Sequence, residues 1–156
     1  MDVVEMIRQS IGGLIAVVGF GTVLRVPKRF LIWGGIDGAI GWFVYLIAGQ
    51  FTDSVILSTF AGAVVISVGA HICARVFKTP VTMFLLPANM TLVPGAGMYR
   101  VVYYVLKSQN QMSTYYLLQT LQVAGTIAVA IFVVNILLGN FISGVREIRK
   151  KAIEDK

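Results

Sequence analysis

Long apolar runs bounded by charge dominate the pattern along this chain. Gln9 to Leu24 carries no charge, Phe30 to Thr52 carries only Asp37, and Ser54 to Ala74 carries none besides the titratable His71. Thr79 to Tyr99 is uncharged, and so is Ser108 to Val145. A helix needs roughly 20 predominantly apolar residues to cross a bilayer core. The last run exceeds one crossing, and its polar start, SQNQMS, reads as a loop that leaves Tyr115 to Gly139 as the apolar stretch. The pattern predicts an all-α integral membrane bundle of about five transmembrane helices, near 9–25, 30–51, 54–75, 79–99 and 115–140. The alternative is four helices with 79–106 as a re-entrant hairpin. A single membrane domain is expected over 1–145, followed by a basic tail at 146–156.

The fourth run, TPVTMFLLPANMTLVPGAGMYR from Thr79 to Arg100, carries Pro80, Pro87 and Pro94 at seven-residue spacing. Proline removes a backbone donor and clashes with the preceding turn. In lipid, each freed carbonyl must find a partner inside protein or in a water-filled cavity. Broken helices of this kind carry the substrate sites of many transporters. Pro87 and Pro94 are expected to divide the span into short pieces. Between them, Asn89 and Thr91 are candidates to satisfy freed backbone groups or to contact a polar solute. Gly95 and Gly97 are expected to supply the positive φ values of a tight turn. Peptide N–H groups at a restarted helix attract a carboxylate, and Arg100, next to Tyr99, could add a charge-assisted fork. Such a site suits a small anion or zwitterion. The competing reading is a kinked helix whose Arg100 merely extends to the headgroups.

Composition and charge narrow the class. Of 156 residues, 57% are hydrophobic and 13% charged, against about 25% charged in an average soluble domain. The net charge of +6 is a topology signal rather than a nucleic-acid signal. Ten of the thirteen basic residues cluster in Arg25, Lys28 and Arg29, in Arg75 and Lys78, and in the tail. With five spans all three clusters share one side, which the positive-inside rule makes cytoplasmic. Four spans would send the tail to the other side. The reading is therefore N-terminus out and C-terminus in. The first run has Asp2 and Glu5 ahead of it and no small-residue cleavage site after it, so it reads as a retained helix rather than a signal peptide. Cys73 stands alone, so no internal disulfide forms.

Polar and small residues within the spans are the next candidates. Gly34, Gly38 and Gly41 share a face with Tyr45, at a spacing that lets helix backbones approach closely. Asp37 lies beside them. It reads either as a first-turn acid at the positive end of a helix or as a proton- or substrate-linked carboxylate. Ser58, Gly62 and Gly69 form another packing seam. His71 lacks metal-ligand neighbours, and reads as a satisfied helix-end residue beside Arg75 or as a proton relay. Gln119, Gln122 and Thr126 share a face suited to interhelical bonds or to a path. In the tail, Val145, Ile148, Ala152 and Ile153 have helical spacing, giving either a surface-lying helix or a solvated extension. No metal set, cofactor site or nucleophile–base constellation is present in the pattern, which argues against an enzyme.

Taken in order, VPKR, GGIDGAIGWFVY, ARVFKTPVTMFLLP and LVPGAGMYR resemble the second membrane domain of the threonine/serine exporter family, in its small stand-alone subunit form. The resemblance covers Val26 to Arg100 and extends over the remainder by length and hydropathy. Pro27, Arg29, Gly38, Gly41, Trp42, Pro80, Pro87, Pro94, Gly95, Gly97, Tyr99 and Arg100 match the family pattern. The family usually has Pro-Gly where this chain has Pro87-Ala88, and a second proline where it has Thr91. The resemblance implies secondary, proton-motive-force-driven export of small polar metabolites across the bacterial cytoplasmic (inner) membrane: threonine and serine, or dicarboxylates such as succinate. It also implies a partner, a larger exporter-domain membrane subunit that fused members carry in the same chain. Self-association through the glycine seams into a homo-oligomer has the same signature. The alternative function is a non-transporting scaffold subunit that stabilises a larger complex.

Overall fold

The computed structural model of the chain describes the backbone of residues 2–154 and the side chains of residues 2–138. Six helices follow one another: α1 (Val3–Val23), α2 (Lys28–Phe51), α3 (Val55–Phe77), α4 (Thr82–Asn89), α5 (Gly95–Leu106) and α6 (Asn110–Glu154). Four of these, α1, α2, α3 and the Asn110–Leu138 part of α6, are long and apolar enough to cross a membrane. Large apolar side chains stand exposed along all four, among them Ile15, Ile32, Ile72 and Phe132. In water so much apolar surface would drive association; against lipid tails it is the matching face. The chain is an all-α, multi-pass membrane protein. The side chains of the expected basic tail lie outside the described residues.

Local sequence explains where the helices stop. α1 and α3 end on Arg25 and Lys78, both in the left-handed region with φ of 57° and 51°. In each case the following amide reaches back to close the last turn, Val26 N–H to Gly21 O at 2.9 Å and Thr79 N–H to Ala74 O at 3.0 Å. A proline two residues past each cap, Pro27 and Pro80, blocks continuation. Ser54 caps α3 by accepting from the Leu57 amide at 3.4 Å.

Glycine seams bring the first four helices together. A Cβ on Gly35 would stand 3.0 Å from Val18 Cγ2 and 3.2 Å from Leu14 Cγ, both on α1. One on Gly62 of α3 would stand 3.0 Å from the Gly41 carbonyl of α2. The helices touch where side chains are missing, as membrane packing without a hydrophobic drive requires. At the end rich in Arg and Lys, Phe30, Phe77 and Phe84 form an aromatic knot with centroids 5.5–5.9 Å apart. This knot seats the start of α4 between the start of α2 and the end of α3. From there α4 climbs past Gly34 and Gly38 of α2, and Leu92 in the turn beyond it reaches Gly62 of α3. α6 runs beside α3, with Thr120 and Val123 level with Val55 and Thr59.

Two expectations about the proline run need correction. Pro87 does not divide it: Pro87 rides inside α4, and Pro80 and Pro94 bracket the helix instead. Past Pro87 the ladder tightens to three-residue steps, with Met90, Thr91 and Leu92 amides bonding to Pro87, Ala88 and Asn89 carbonyls at 3.2, 3.3 and 2.9 Å. Nor do Gly95 and Gly97 adopt positive φ; no described glycine does. The turn is made by Pro94 itself, at φ −78° and ψ 57°, with Gly95 N–H on Val93 O at 2.8 Å. This is an inverse γ-turn. Helix then continues past Tyr99 to Leu106, and the link to α6 is only Lys107–Gln109.

Candidate functional site

The Met90–Pro94 turn opens a cavity of about 320 Å³ between α2, α3, α5 and α6. Trp42 and Tyr45 of α2, Thr59 of α3, Thr91 to Gly97, Arg100, and Gln119 and Thr120 of α6 line it. Its size is that of a small-molecule site. A wider and shallower recess of about 700 Å³ adjoins it, sharing Tyr45 and Val55 and carrying Gln50, Thr52, Asp53 and Ser58.

The two sides of the cavity offer opposite chemistry. On one side α5 restarts without a side-chain cap. The first-turn N–H groups of Ala96 and Gly97 have no carbonyl one turn before them, so they remain donors. Arg100 follows one turn later. It lies with its guanidinium 5.2 Å from the Tyr116 ring centre. On the α3–α4 side are the hydroxyls of Thr59 and Thr91, while that of Thr120 lies on α6 against Gly97. Thr59 donates to Val55 O at 2.7 Å, Thr91 to Ala88 O at 2.9 Å and Thr120 to Tyr116 O at 2.7 Å. With each hydroxyl hydrogen spent on its own helix, what these threonines present to a ligand is acceptor oxygen.

Gly97 earns its place by close approach. A Cβ there would collide with Thr120 Oγ1, so the missing side chain lets α5 lie against α6. A Cβ on Gly95 would meet nothing within 4 Å, so that position faces open space.

The structure thus gathers Thr91, Pro94, Gly95, Gly97 and Arg100 around one cavity and leaves the other candidates elsewhere. Tyr99 points away, 69% exposed, and stacks on Tyr103 with centroids 6.2 Å apart. His71 is half-buried on α3 with Nδ1 on Ser67 O at 2.8 Å. Gly34 meets Pro87, Gly38 meets Val17 and Ala88, and Gly41 meets Ile66 and Gly62. Asn89 is buried below the cavity, its amide donating to Leu85 O at 2.9 Å. Asp37 lies deeper still, 6% exposed and against Gly69 of α3. It sits more than two turns inside α2, which removes the first-turn reading. Among the described residues no three His, Cys, Asp or Glu side chains converge as a metal set.

Sequence reasoning missed Trp42, Thr59 and Thr120 as cavity walls. Single threonines in apolar helices carry no spacing signal, because their commonest partner is their own backbone. Trp42 lies next to Gly41 in the glycine-rich stretch, and that adjacency was the available clue.

Residues 9–137 match the protein family described as Threonine/Serine exporter, ThrE. No curated protein and no solved structure matches the chain. The matched stretch holds the glycine-seamed helices, the proline-bracketed α4 and the whole cavity. With this order of elements and a match over most of its length, the chain belongs to the threonine/serine exporter family.

Proposed function

We propose that this chain is the small subunit of a two-component secondary exporter driven by the proton motive force, and that the cavity beside Pro94 holds the substrate. The observation that carries this reading is the division of that cavity into a donor side and an acceptor side. The Ala96 and Gly97 amides with Arg100 suit a carboxylate. The Thr59 and Thr91 oxygens on the other side suit an ammonium or a hydroxyl hydrogen. That pairing favours an α-amino acid such as threonine or serine over a dicarboxylate such as succinate, whose second carboxylate would meet acceptors.

The need for a partner is supported by α5, which buries none of its residues and leaves the cavity open on its flank. A larger exporter-domain subunit would complete that wall. The climb of α4 from the basic end toward Gly62 supports the proline run as a fifth crossing, and with five crossings the positive-inside rule favours a bacterial inner membrane with Arg25, Lys28, Arg29, Arg75 and Lys78 on its cytoplasmic side. The N-terminus and the cavity then lie on the outer side.

The test is transport by proteoliposomes holding both subunits. Arg100→Gln removes one exposed charge-assisted bond, and is expected to raise KM for threonine and serine roughly tenfold with kcat little changed. This chain reconstituted alone is expected to transport neither. Full transport by the lone chain would overturn the two-subunit reading. An unchanged KM would remove the carboxylate site, and is the outcome a non-transporting scaffold predicts.

A further inference from the structure

Two buried acceptor atoms near the middle of the bundle lack a hydrogen. Among the described residues, Asp37 Oδ2 on α2 and Asn89 Oδ1 on α4 have no hydrogen-bond partner, and their side chains are only 6% and 7% exposed. They flank the closest approach of the two helices. Gly38 follows Asp37, Ala88 precedes Asn89, and a Cβ on Gly38 would stand 3.4 Å from the Ala88 Cα and carbonyl oxygen. On the third side is α3, which offers Asp37 the bare backbone of Gly69; a Cβ there would collide with Oδ1.

Among the described residues no cation faces this carboxyl. α1 carries no charge between Arg8 and its end, and α4 carries none. α3 brings Cys73, half-buried one turn on from Gly69. His71 turns its Nδ1 to Ser67 O, and Arg75 is exposed farther along toward the basic end. A buried carboxylate with no cation and incomplete hydrogen bonding is costly. The packing around Asp37 therefore suits the neutral acid, and ionisation requires the group to reach water. Two crevices open at Trp42 and Thr91. Trp42 is five residues on from Asp37, about 7–8 Å along α2.

We infer that Asp37 is the group that carries the coupled proton, and that its loading sets how α4 seats against α2 and α3. This rests on the export reading above. The physical link is short. α4 bears Asn89 next to Ala88, its contact with Gly38, and continues directly into the Thr91–Pro94 wall of the cavity. A shift of α4 that lets the ionised carboxyl reach water moves that wall too. A loaded Asp37 allows the seated arrangement, and an empty one disfavours it.

The experiment compares two modes of transport in proteoliposomes holding both subunits, with radiolabelled threonine as probe. Counterflow, substrate against substrate with no pH gradient, needs the cavity but no net proton movement. Accumulation driven by a pH gradient needs the proton carrier as well. Asp37→Asn is neutral at every pH and similar in volume. It is expected to keep counterflow and to lose gradient-driven accumulation, with the concentration ratio falling to unity. Accumulation by Asp37→Asn equal to that of the unsubstituted chain would overturn the inference. So would loss of both modes with unchanged thermal stability, since Asp37 would then belong to the substrate site. Should Asp37→Asn fail to fold, Asp37→Glu is read instead, and accumulation whose pH dependence does not move counts against the inference. An unsubstituted assembly with neither mode would sink the export reading itself, which separates the two failures.

Discussion

Gly38→Ala tests the packing at the point where α1, α2 and α4 meet. The added methyl would stand 2.6 Å from Val17 Cγ2, against 3.4 Å from the nearest Ala88 atoms. Carbon atoms pack comfortably at about 3.5–4.0 Å, so Val17 is the obstacle. It is 1% exposed and β-branched, with one strongly preferred rotamer in a helix. Its methyl cannot turn aside, and α1 must back off by about 1 Å to restore that spacing. Overpacking of this kind costs ~1–3 kcal/mol. Alanine returns ~0.8–1.0 kcal/mol of helix propensity. The net is a loss of roughly 0–2 kcal/mol. Gly12→Ala is the matched control, because nothing lies within 4 Å of its new methyl. It keeps only the propensity gain. Propensity cancels in the difference between the two variants, which leaves about 1–3 kcal/mol for the clash alone. Thermal unfolding in detergent reads this directly, with a thiol-reactive dye reporting exposure of half-buried Cys73, the sole cysteine. If Gly38→Ala proves as stable as Gly12→Ala, the close approach of these three helices is wrong.

Ser108 ends α5 at φ 56°, so Ser108→Gly should relieve about 1 kcal/mol of left-handed strain and raise the unfolding temperature in the same assay; a drop would show that the serine side chain matters more than the backbone. A reporter enzyme active only in the cytoplasm, fused after Lys156, should be active, and activity of a reporter specific to the exterior would exclude five crossings. Asn89→Leu removes a buried acceptor that lacks a partner together with the amide that donates to Leu85 O, so stability should change by no more than about 1 kcal/mol while gradient-driven accumulation falls. A large loss of stability would mean that Asn89 Oδ1 is satisfied by a group or water bound in the native membrane.

The helical membrane class was legible because lipid imposes one rule on every span, and the uncharged runs obey it. Helix ends were legible where proline follows a cap, as at Pro27 and Pro80. The inner geometry of the proline run was not. Seven-residue spacing made Pro87 look like Pro94, but their neighbours differ. Pro87 is preceded by Thr82 to Leu86, which pack on α2 and α3 and hold the helix through the missing bond. Pro94 is followed by two small glycines and an α5 that packs on α6 alone. Tertiary contacts, which spacing does not record, decide which proline breaks. The same limit applied to Gly95 and Gly97. Sequence reads glycine as a licence for positive φ, yet Gly97 is needed for the space that Thr120 occupies. Arg100 could be grouped with the turn from sequence because both belong to one local segment. Thr59 and Thr120, from distant segments, had no local signal.

The inverse γ-turn at Pro94 has a mechanical consequence. α4 is seated on α1, α2 and α3, whereas α5 rests on α6 alone and reaches the other helices only through that turn and through α6. The cavity takes one wall from each side of this divide: Trp42, Tyr45 and Thr59 from the seated helices, and Gly97, Arg100 and Thr120 from the α5–α6 hairpin. A rotation of the hairpin about Pro94 and along the α3–α6 contact would therefore carry Gly97, Arg100 and Thr120 away from Trp42 and Thr59 without disturbing the glycine seams. The chain is built as a jaw whose hinge lies beside the groups that would grip.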